Sequence, residues 1–375
     1  MNAQDERMPA EGDNHARDVE ARKLRRVRLR SRLADDGLAG LLVFDLHNIR
    51  YLTGFSGTTA VVAVLPDEVV LLTDFRYRLQ AADQAPDSRY LEIEQKVSSL
   101  LPEVLVDVDG PIGIEDSLSV ARWRSLEDSL AEIEYRIAGG HVEQLRRVKG
   151  SEELEPLRRA GQLLAQTIGS LAERPVVGRA ESDVALALEV YARERGSAAP
   201  PFDFILAGGA RGAMPHAEAS AALIEPDGLL VVDIGTEVDG YASDMTRTFA
   251  TGRINEEKKR IFDVVRKAQE KARHAARAGI TCRELDAVAR DVIAEAGYAA
   301  YFGHGLGHGV GLAVHEAPRV SRLSEDVLKA GMVVTIEPGI YIPGVGGVRI
   351  EDTVLIEEDG IEILTPLDHG WVRLT

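Results

Sequence analysis

Hydrophobic and polar positions along this chain switch between strand and helix periods in a regular order. "LAGLLVFD" (38–45) is an apolar run of strand length. "TTAVVAVLPDEVVLLTD" (58–74) holds two β-branched runs around Pro66, Asp67 and Glu68, the signature of a hairpin. A helical pattern precedes them up to about Asp36, with Gly37 just past its end. Strands and helices keep alternating to about Ile137, which predicts an α/β domain over 17–148. The seam falls in "LRRVKGSEELEP", where Gly150 and Ser151 punctuate the chain. Ser151 is a good N-cap, and Glu152 and Glu153 suit the positive first turn of the next helix. Residues 1–16 are polar and predict a disordered tail.

From 149 onward the pattern runs twice. Helices over about 152–173 and 183–195 lead into strands from 203 to 250. A helix capped by Asn255 and ending at Gly279 comes next. Another follows, opened by the capping box Thr281-Cys282-Arg283-Glu284 and ended at Gly297. Strands then run to the C-terminus. Helix, helix and antiparallel strands, repeated, predict a second domain over 149–375 whose halves are related by a pseudo-twofold.

Composition narrows the function classes. A hydrophobic share of 45% and a charged share of 28% are ordinary for a globular protein. A net charge of −17 argues against nucleic acid or an anionic membrane as the main partner. The single cysteine, Cys282, excludes an intrachain disulfide and a Cys-rich zinc site and fits a cytoplasmic protein. The N-terminus shows no apolar signal region, and no apolar run approaches the roughly 18 residues of a spanning helix. "RKLRRVRLRSR" (22–32) reads as the solvated face of a helix whose other face carries Leu24, Val27 and Leu33, in preference to an anion-binding arm.

The chemistry gathers in the strands of the second domain. In "LLVVDIGTEVDGYASDMTRTF" (229–249), Asp233 ends an apolar run, a costly place for an unpaired carboxylate. Asp239-Gly240 is a hairpin turn that brings Asp233 and Asp244 side by side. Period-two alternation puts Thr246 and Thr248 on the face of Asp244 and Arg247 on the other. Two adjacent carboxylates need a counter-charge, which a metal or Arg247 can supply. In "VVTIEPGIYIPGVGGVRIEDTVLI" (333–356), Glu337 follows an apolar run and is held extended by Pro338, while Glu351 shares a face with Arg349 and Thr353. "GHGLGHGVGLAVHE" (303–316) carries His304, His308 and His315. Glycines at 303, 305, 307, 309 and 311 cost a helix roughly 1 kcal/mol each, which predicts extended chain. Extended residues 304 and 308 lie about 13 Å apart, so at most one of them joins the carboxylates. No HExxH, GxGxxG or Walker pattern is present. Four carboxylates and one histidine balance two divalent ions, and oxygen-rich ligation suits Mn²⁺ or Co²⁺, with Zn²⁺ or Fe²⁺ also compatible. Two close ions can activate a shared water and clamp a tetrahedral intermediate.

Those segments, in this order, resemble the pita-bread-fold metallopeptidases, on the proline-peptidase branch of Xaa-Pro aminopeptidase and Xaa-Pro dipeptidase. "PFDFILAGGARGAMPHA" (201–217), "NIRYLTGFSG" (48–57) and "TDFRY" (73–77) match that branch too, so the resemblance spans about residues 20–370. It implies an N-terminal creatinase-N-like α/β domain before a pita-bread α+β domain with a curved antiparallel sheet. It implies Asp233 as ligand of one metal, Asp244 and Glu351 as bridges, and His308 and Glu337 as completing the other metal's shell. His216 then stabilises the reacting carbonyl, His315 contacts the substrate near the scissile bond, and Glu337 shuttles the proton. His304 lines the proline subsite, Tyr341 belongs to the substrate pocket, and Arg349 engages the substrate's C-terminal side. The implied substrate is a proline-containing peptide, cleaved after the residue preceding proline by a metal-bridged hydroxide. The implied assembly is a homodimer. A creatinase-like metal-free amidinohydrolase and a non-catalytic peptide-binding member of the fold are the alternatives.

Overall fold

The computed structural model describes residues 11–131 and 133–375. These fall into two compact units that divide between Arg146 and Arg147. Of the tail expected over 1–16, residues 1–10 lie outside the described residues, and helix α1 (Glu11–Asp35) starts at Glu11.

The first unit carries, after α1, strand β1 (Gly40–Val43), helix α2 (Leu46–Thr53) and the hairpin β2 (Val61–Val64) and β3 (Val69–Thr73). Helix α3 (Arg78–Gln84), β4 (Arg89–Glu92), α4 (Leu101–Leu105), β5 (Ile112–Ile114), α5 (Val120–Glu127), β6 (Tyr135–Ile137) and α6 (His141–Arg146) follow. The strands form one mixed sheet in the order β4-β3-β2-β1-β5-β6. Its three central strands are buried along their whole length, which explains their near-continuous apolar runs.

The basic segment of α1 is turned the other way from the sequence expectation. Arg22, Arg25 and Arg26 are buried with Leu29 and Leu33, while Leu24 and Val27 are exposed. Arg25, Arg26 and Arg30 turn inward because their heads find partners there. Arg25 donates to Tyr51 O (2.9 Å) and stacks on the Tyr51 ring, Arg26 pairs with Asp87, and Arg30 donates to Leu65 O (2.7 Å) and Glu68 O (3.0 Å). Their long methylene stems then cover apolar surface as well as leucines would.

The second unit opens with α7 (Ser151–Gly169) and α8 (Glu181–Arg193), followed by β7 (Ile205–Gly208), β8 (Leu229–Val238) and β9 (Tyr241–Ala250). The pattern recurs with α9 (Glu256–Ala275), α10 (Cys282–Glu295), β10 (Gly307–Gly309), β11 (Glu316–Val320) and β12 (Val333–Ile336). Strands β13 (Gly339–Ile342), β14 (Gly346–Arg349), β15 (Asp352–Ile356) and β16 (Ile361–Ile363) complete it. The first half makes the sheet β7-β8-β9 and the second half makes β11-β10-β12-β15-β16, with β13 and β14 as a separate ribbon. Each half has its own core, packed against its own pair of helices. This is the α+β repeat that the doubled pattern predicts.

Candidate metal centre

In the first half, Asp239 (φ 49°) and Gly240 (φ 78°) both adopt left-handed backbone, so β8 and β9 turn through a tight two-residue loop. The register sets Asp233 opposite Thr246 and Gly235 opposite Asp244. Asp233 and Asp244 are therefore diagonal neighbours on one face. Arg247 points the other way. It donates to Asp352 (2.8 Å), to Leu367 O (2.6 Å) and to the main-chain oxygens of Thr246 (3.0 Å) and Glu351 (2.5 Å). It is not the counter-charge of the aspartate pair.

In the second half, β12–β15 and β13–β14 are one long hairpin with a gap in its ladder. Ile336 faces Asp352 and Gly339 faces Arg349, so the unbroken register sets Glu337 directly opposite Glu351. The ladder opens there because Pro338 has no amide hydrogen to give. Opposed residues of an antiparallel pair project to the same face, and two carboxylates in that position repel.

Threonine hydroxyls stitch the two halves together. Thr246 Oγ1 donates to Glu351 Oε2 (2.6 Å), Thr248 Oγ1 to Arg349 O (2.9 Å) and Thr353 Oγ1 to Asp244 O (2.7 Å). All three threonines are buried. This seam brings the carboxylates of the two hairpins together.

His308 enters from the middle of β10, between β11 and β12. Its flanking glycines are required by that position. A methyl on Gly307 would overlap the carbonyl of Thr335, and one on Gly309 would overlap that of Ala317. The segment is extended, as its glycines predict. His308 Nδ1 donates to Gly309 O (3.1 Å), which leaves Nε2 as a lone pair 3.4 Å from Glu337 Oε1 and 3.7 Å from Asp244 Oδ2.

The donor set fits divalent cations. Asp233 Oδ1, Asp244 Oδ1 and Glu351 Oε1 are buried and accept no hydrogen bond. Orphaned carboxylate oxygens in one cluster are costly unless a cation satisfies them. Burial, reinforced by the neighbouring carboxylates, pushes Asp244 and Glu351 well above the usual carboxylate range. Burial lifts Glu337 to about 8. Burial also lowers His308 to about 4, so it is a neutral donor at neutral pH.

Arg349 is the cation the protein supplies itself. It is 3% exposed and pairs with Asp233. Its other donors go to Thr246 Oγ1 (3.0 Å), Tyr341 Oη (2.8 Å) and Pro215 O (3.2 Å). Burial opposes its charge, but Tyr341, Asp233 and the glutamates hold its pKa well above the ordinary value. With its donors occupied in this way, Arg349 orients Asp233 and has little left to offer a substrate. Tyr341, unlike Arg349, is not on the wall of the site: its buried hydroxyl lies between Arg349 and His304 Nε2 (3.0 Å).

A cavity of about 890 Å³ opens over the cluster. His216, His304, His308, His315, Asp233, Asp244, Glu337, Arg349 and Glu351 all line it. His315 packs edge-on against His308 with ring centres 4.3 Å apart, and burial lowers its pKa. His304 donates Nδ1–H to Gly305 O (2.8 Å), and burial lowers it to about 4. Arg319 also lines the cavity and went unnoticed in the sequence. It is exposed, faces His308 across β10 and β11, and forms no ion pair with any described residue. No motif marks it; only the strand register places it beside the histidine.

Comparison with known proteins now decides the family. Residues 155–358 match the model for metallopeptidase family M24, and residues 25–148 match the creatinase/prolidase N-terminal domain. The chain belongs to metallopeptidase family M24. Among solved structures it is similar to the Xaa-Pro dipeptidase from Bacillus anthracis, at 36% identity and a TM-score of 0.91 over 94% of this chain and 100% of that one. It is also similar to the X-Pro aminopeptidase from Thermotoga maritima, at 32% identity and a TM-score of 0.83 over 90% of this chain and 98% of that one. The Xaa-Pro dipeptidase of Pyrococcus furiosus is 39% identical over 320 residues, covering 84% of this chain and 90% of that protein. The M24 assignment agrees with the pita-bread architecture and the proline-peptidase branch. Among the described residues, no helix is long and apolar enough to cross a membrane.

Proposed function

We propose that this chain is a dinuclear-metal-dependent peptidase that hydrolyses the bond between an N-terminal residue and proline. The observation that carries the reading is the cluster of three buried, unbonded carboxylate oxygens on Asp233, Asp244 and Glu351, next to His308 and Glu337. Those five residues would hold two divalent ions, with Mn²⁺ as the first choice from the oxygen-rich donor set. When bound, the ions supply Lewis acidity and an activated water. The chain's own residues do the rest. Arg349 fixes Asp233, and Thr246 fixes Glu351. Glu337, directly opposite Glu351 at the edge of the cavity, is placed to take a proton from the activated water and deliver it to the leaving proline nitrogen. His216 and His315 face the same cavity and are placed to donate hydrogen bonds to the developing oxyanion. A metal-free amidinohydrolase or a binding-only role leaves the orphaned oxygens without a purpose.

Arg319 favours a dipeptide. An unpaired guanidinium on the cavity wall suits the carboxylate of Xaa-Pro, and it offers nothing particular to a longer chain. The assembly we propose is a cytoplasmic homodimer. The test compares Mn²⁺-loaded protein on Xaa-Pro, Xaa-Pro-amide and Xaa-Pro-Yaa-Zaa. Two ions per chain and chelator-sensitive turnover are expected, and full activity in Glu351→Gln would overturn the reading. Arg319→Gln should raise KM for Xaa-Pro about 10- to 100-fold and leave the amide unaffected, from one lost charge-assisted pair of about 1.5–3 kcal/mol. Equal effects on both would remove the dipeptide preference only.

A further inference from the structure

The cation donors of the cavity form three overlapping triads. Asp233, Asp244 and Glu351 make one, His308, Glu337 and Glu351 a second, and Asp244, His308 and His315 a third. Each shares one residue with each of the others: Glu351, Asp244 or His308. The first triad is all oxygen and the second has one imidazole. The third has two imidazoles and one carboxylate, a set typical of zinc.

We propose that Asp244, His308 and His315 form an alternative site that captures Zn²⁺ in preference to Mn²⁺. This rests on the dinuclear reading above. His308 belongs to both sets: with Glu337 and Glu351 it would hold an oxygen-preferring ion, and with His315 and Asp244 it would hold zinc. Imidazole suits zinc and carboxylate suits manganese, so exchange of the first set for the second favours only the former. His315 is thereby withdrawn from the substrate and Glu337 from the cation, so zinc in this site blocks turnover.

The geometry supports the exchange. Asp244 is 5% exposed, and its Oδ2 lies 3.7 Å from His308 Nε2. His308 presents Nε2, since Nδ1 is spent on Gly309 O. The donor atoms of the triad lie within 4.8 Å of one another. Donors on one zinc ion, each about 2.0–2.2 Å from it, sit ~3.4 Å apart. Closing that difference takes a movement on the order of 1 Å. His315 can make it, because it is the most exposed of the three and lies between β10 and β11 rather than inside a strand.

The experiment titrates the metal-free full-length chain with Mn²⁺ and with Zn²⁺ against a chromophoric chelator, for wild type, His315→Gln and His315→Asn. Two variants guard against a substitution that disturbs folding, which circular dichroism checks. The second zinc equivalent should bind at least about 10-fold more weakly in both variants, with Mn²⁺ affinity unchanged. X-ray absorption of the zinc-loaded protein should show about one imidazole per ion in wild type and about half that in the variants. Unchanged zinc affinity, or an equal loss for Mn²⁺, overturns the inference. The Mn²⁺ stoichiometry of the wild type, two ions per chain, tests the underlying dinuclear reading separately.

Discussion

Thr246→Val probes the seam that joins the two halves. Thr246 is fully buried, and its hydroxyl does two things at once. It donates to Glu351 Oε2 (2.6 Å) and accepts from Arg349 Nε (3.0 Å). Valine keeps the shape and removes both bonds. A hydrogen bond to a charged group contributes about 1.5–3 kcal/mol. In the metal-free protein the buried Glu351 carboxyl and the Arg349 guanidinium each lose a partner, and the loss of stability should approach ~3 kcal/mol. In the loaded protein the ions compensate Glu351 directly, but the glutamate is no longer aimed. The loss of one orienting bond should weaken metal binding by about 10- to 150-fold, since 1.4 kcal/mol is a factor of ten. Metal affinity by competition titration and thermal unfolding with and without Mn²⁺ measure the two effects. Thr246→Ser restores the hydroxyl and should recover the metal affinity to within a few-fold. A valine variant that binds Mn²⁺ like wild type, or a serine variant as weak as valine, would refute the role of the hydroxyl and leave only packing.

Asp244→Asn should abolish turnover yet stabilise the chelator-treated protein, because it removes one of several repelling buried carboxylates. A gain of about 1–2 kcal/mol, or ~2–8 °C for a domain of this size, should appear in differential scanning calorimetry; a lower Tm would contradict the electrostatic account. In the first unit, the His47 imidazole 3.6 Å away and the Asn48 amide, which donates to Asp45, hold Asp45 down at about 2 against the cost of burial. A depressed carboxylate contributes stability above its unfolded value of about 4 and loses it as pH falls towards 2. Asp45→Asn, which still caps α2, should therefore flatten that acid limb in urea unfolding midpoints measured between about pH 4 and pH 2. Gly307→Ala should cost about 1–3 kcal/mol or more through overlap with the Thr335 carbonyl, and it should lower metal affinity by moving His308; unchanged affinity would show that β10 yields freely.

The parts of the site that local pattern could reveal are those where one residue contradicts its own strand. Asp233 and Glu337 each end an apolar run, and Asp239-Gly240 announces its turn. The alternating glycines around His308 forbid a helix, and the doubled order of helices and strands marks the repeat. What stayed hidden depends on pairing between distant segments. The opposition of Glu337 and Glu351 follows from the register of the long hairpin, which no short window contains. The threonine seam joins residues more than a hundred positions apart. Arg319 is one ordinary arginine until β11 is laid beside β10. The orientation of α1 departs from the sequence expectation for a related reason. Charge predicted a solvated face, but carbonyl and aromatic partners on other elements made the arginine face the buried one.

These observations explain why so unfavourable a cluster can exist in a stable fold. The hairpins that carry the carboxylates are anchored in two separate cores, so their strands do not depend on the site for stability. Arg349 makes its direct ion pair with Asp233 and reaches the other carboxylates only from a distance, and Arg247 is committed behind the sheet to Asp352 and Leu367 O. The remaining carboxylates are held together by the backbone and by threonine hydroxyls against their own repulsion. That arrangement stores a demand for positive charge. Cations that bind the native state and not the unfolded chain stabilise it by mass action, about 2.7 kcal/mol for each ion at a hundred times its Kd. The same demand sets the chemistry, because the ions it draws in are the ones that polarise a carbonyl and activate water. The strain of the apo cluster and the activity of the loaded one therefore have a single origin. Substitutions that relieve the strain should cost activity in proportion to the cation affinity they remove.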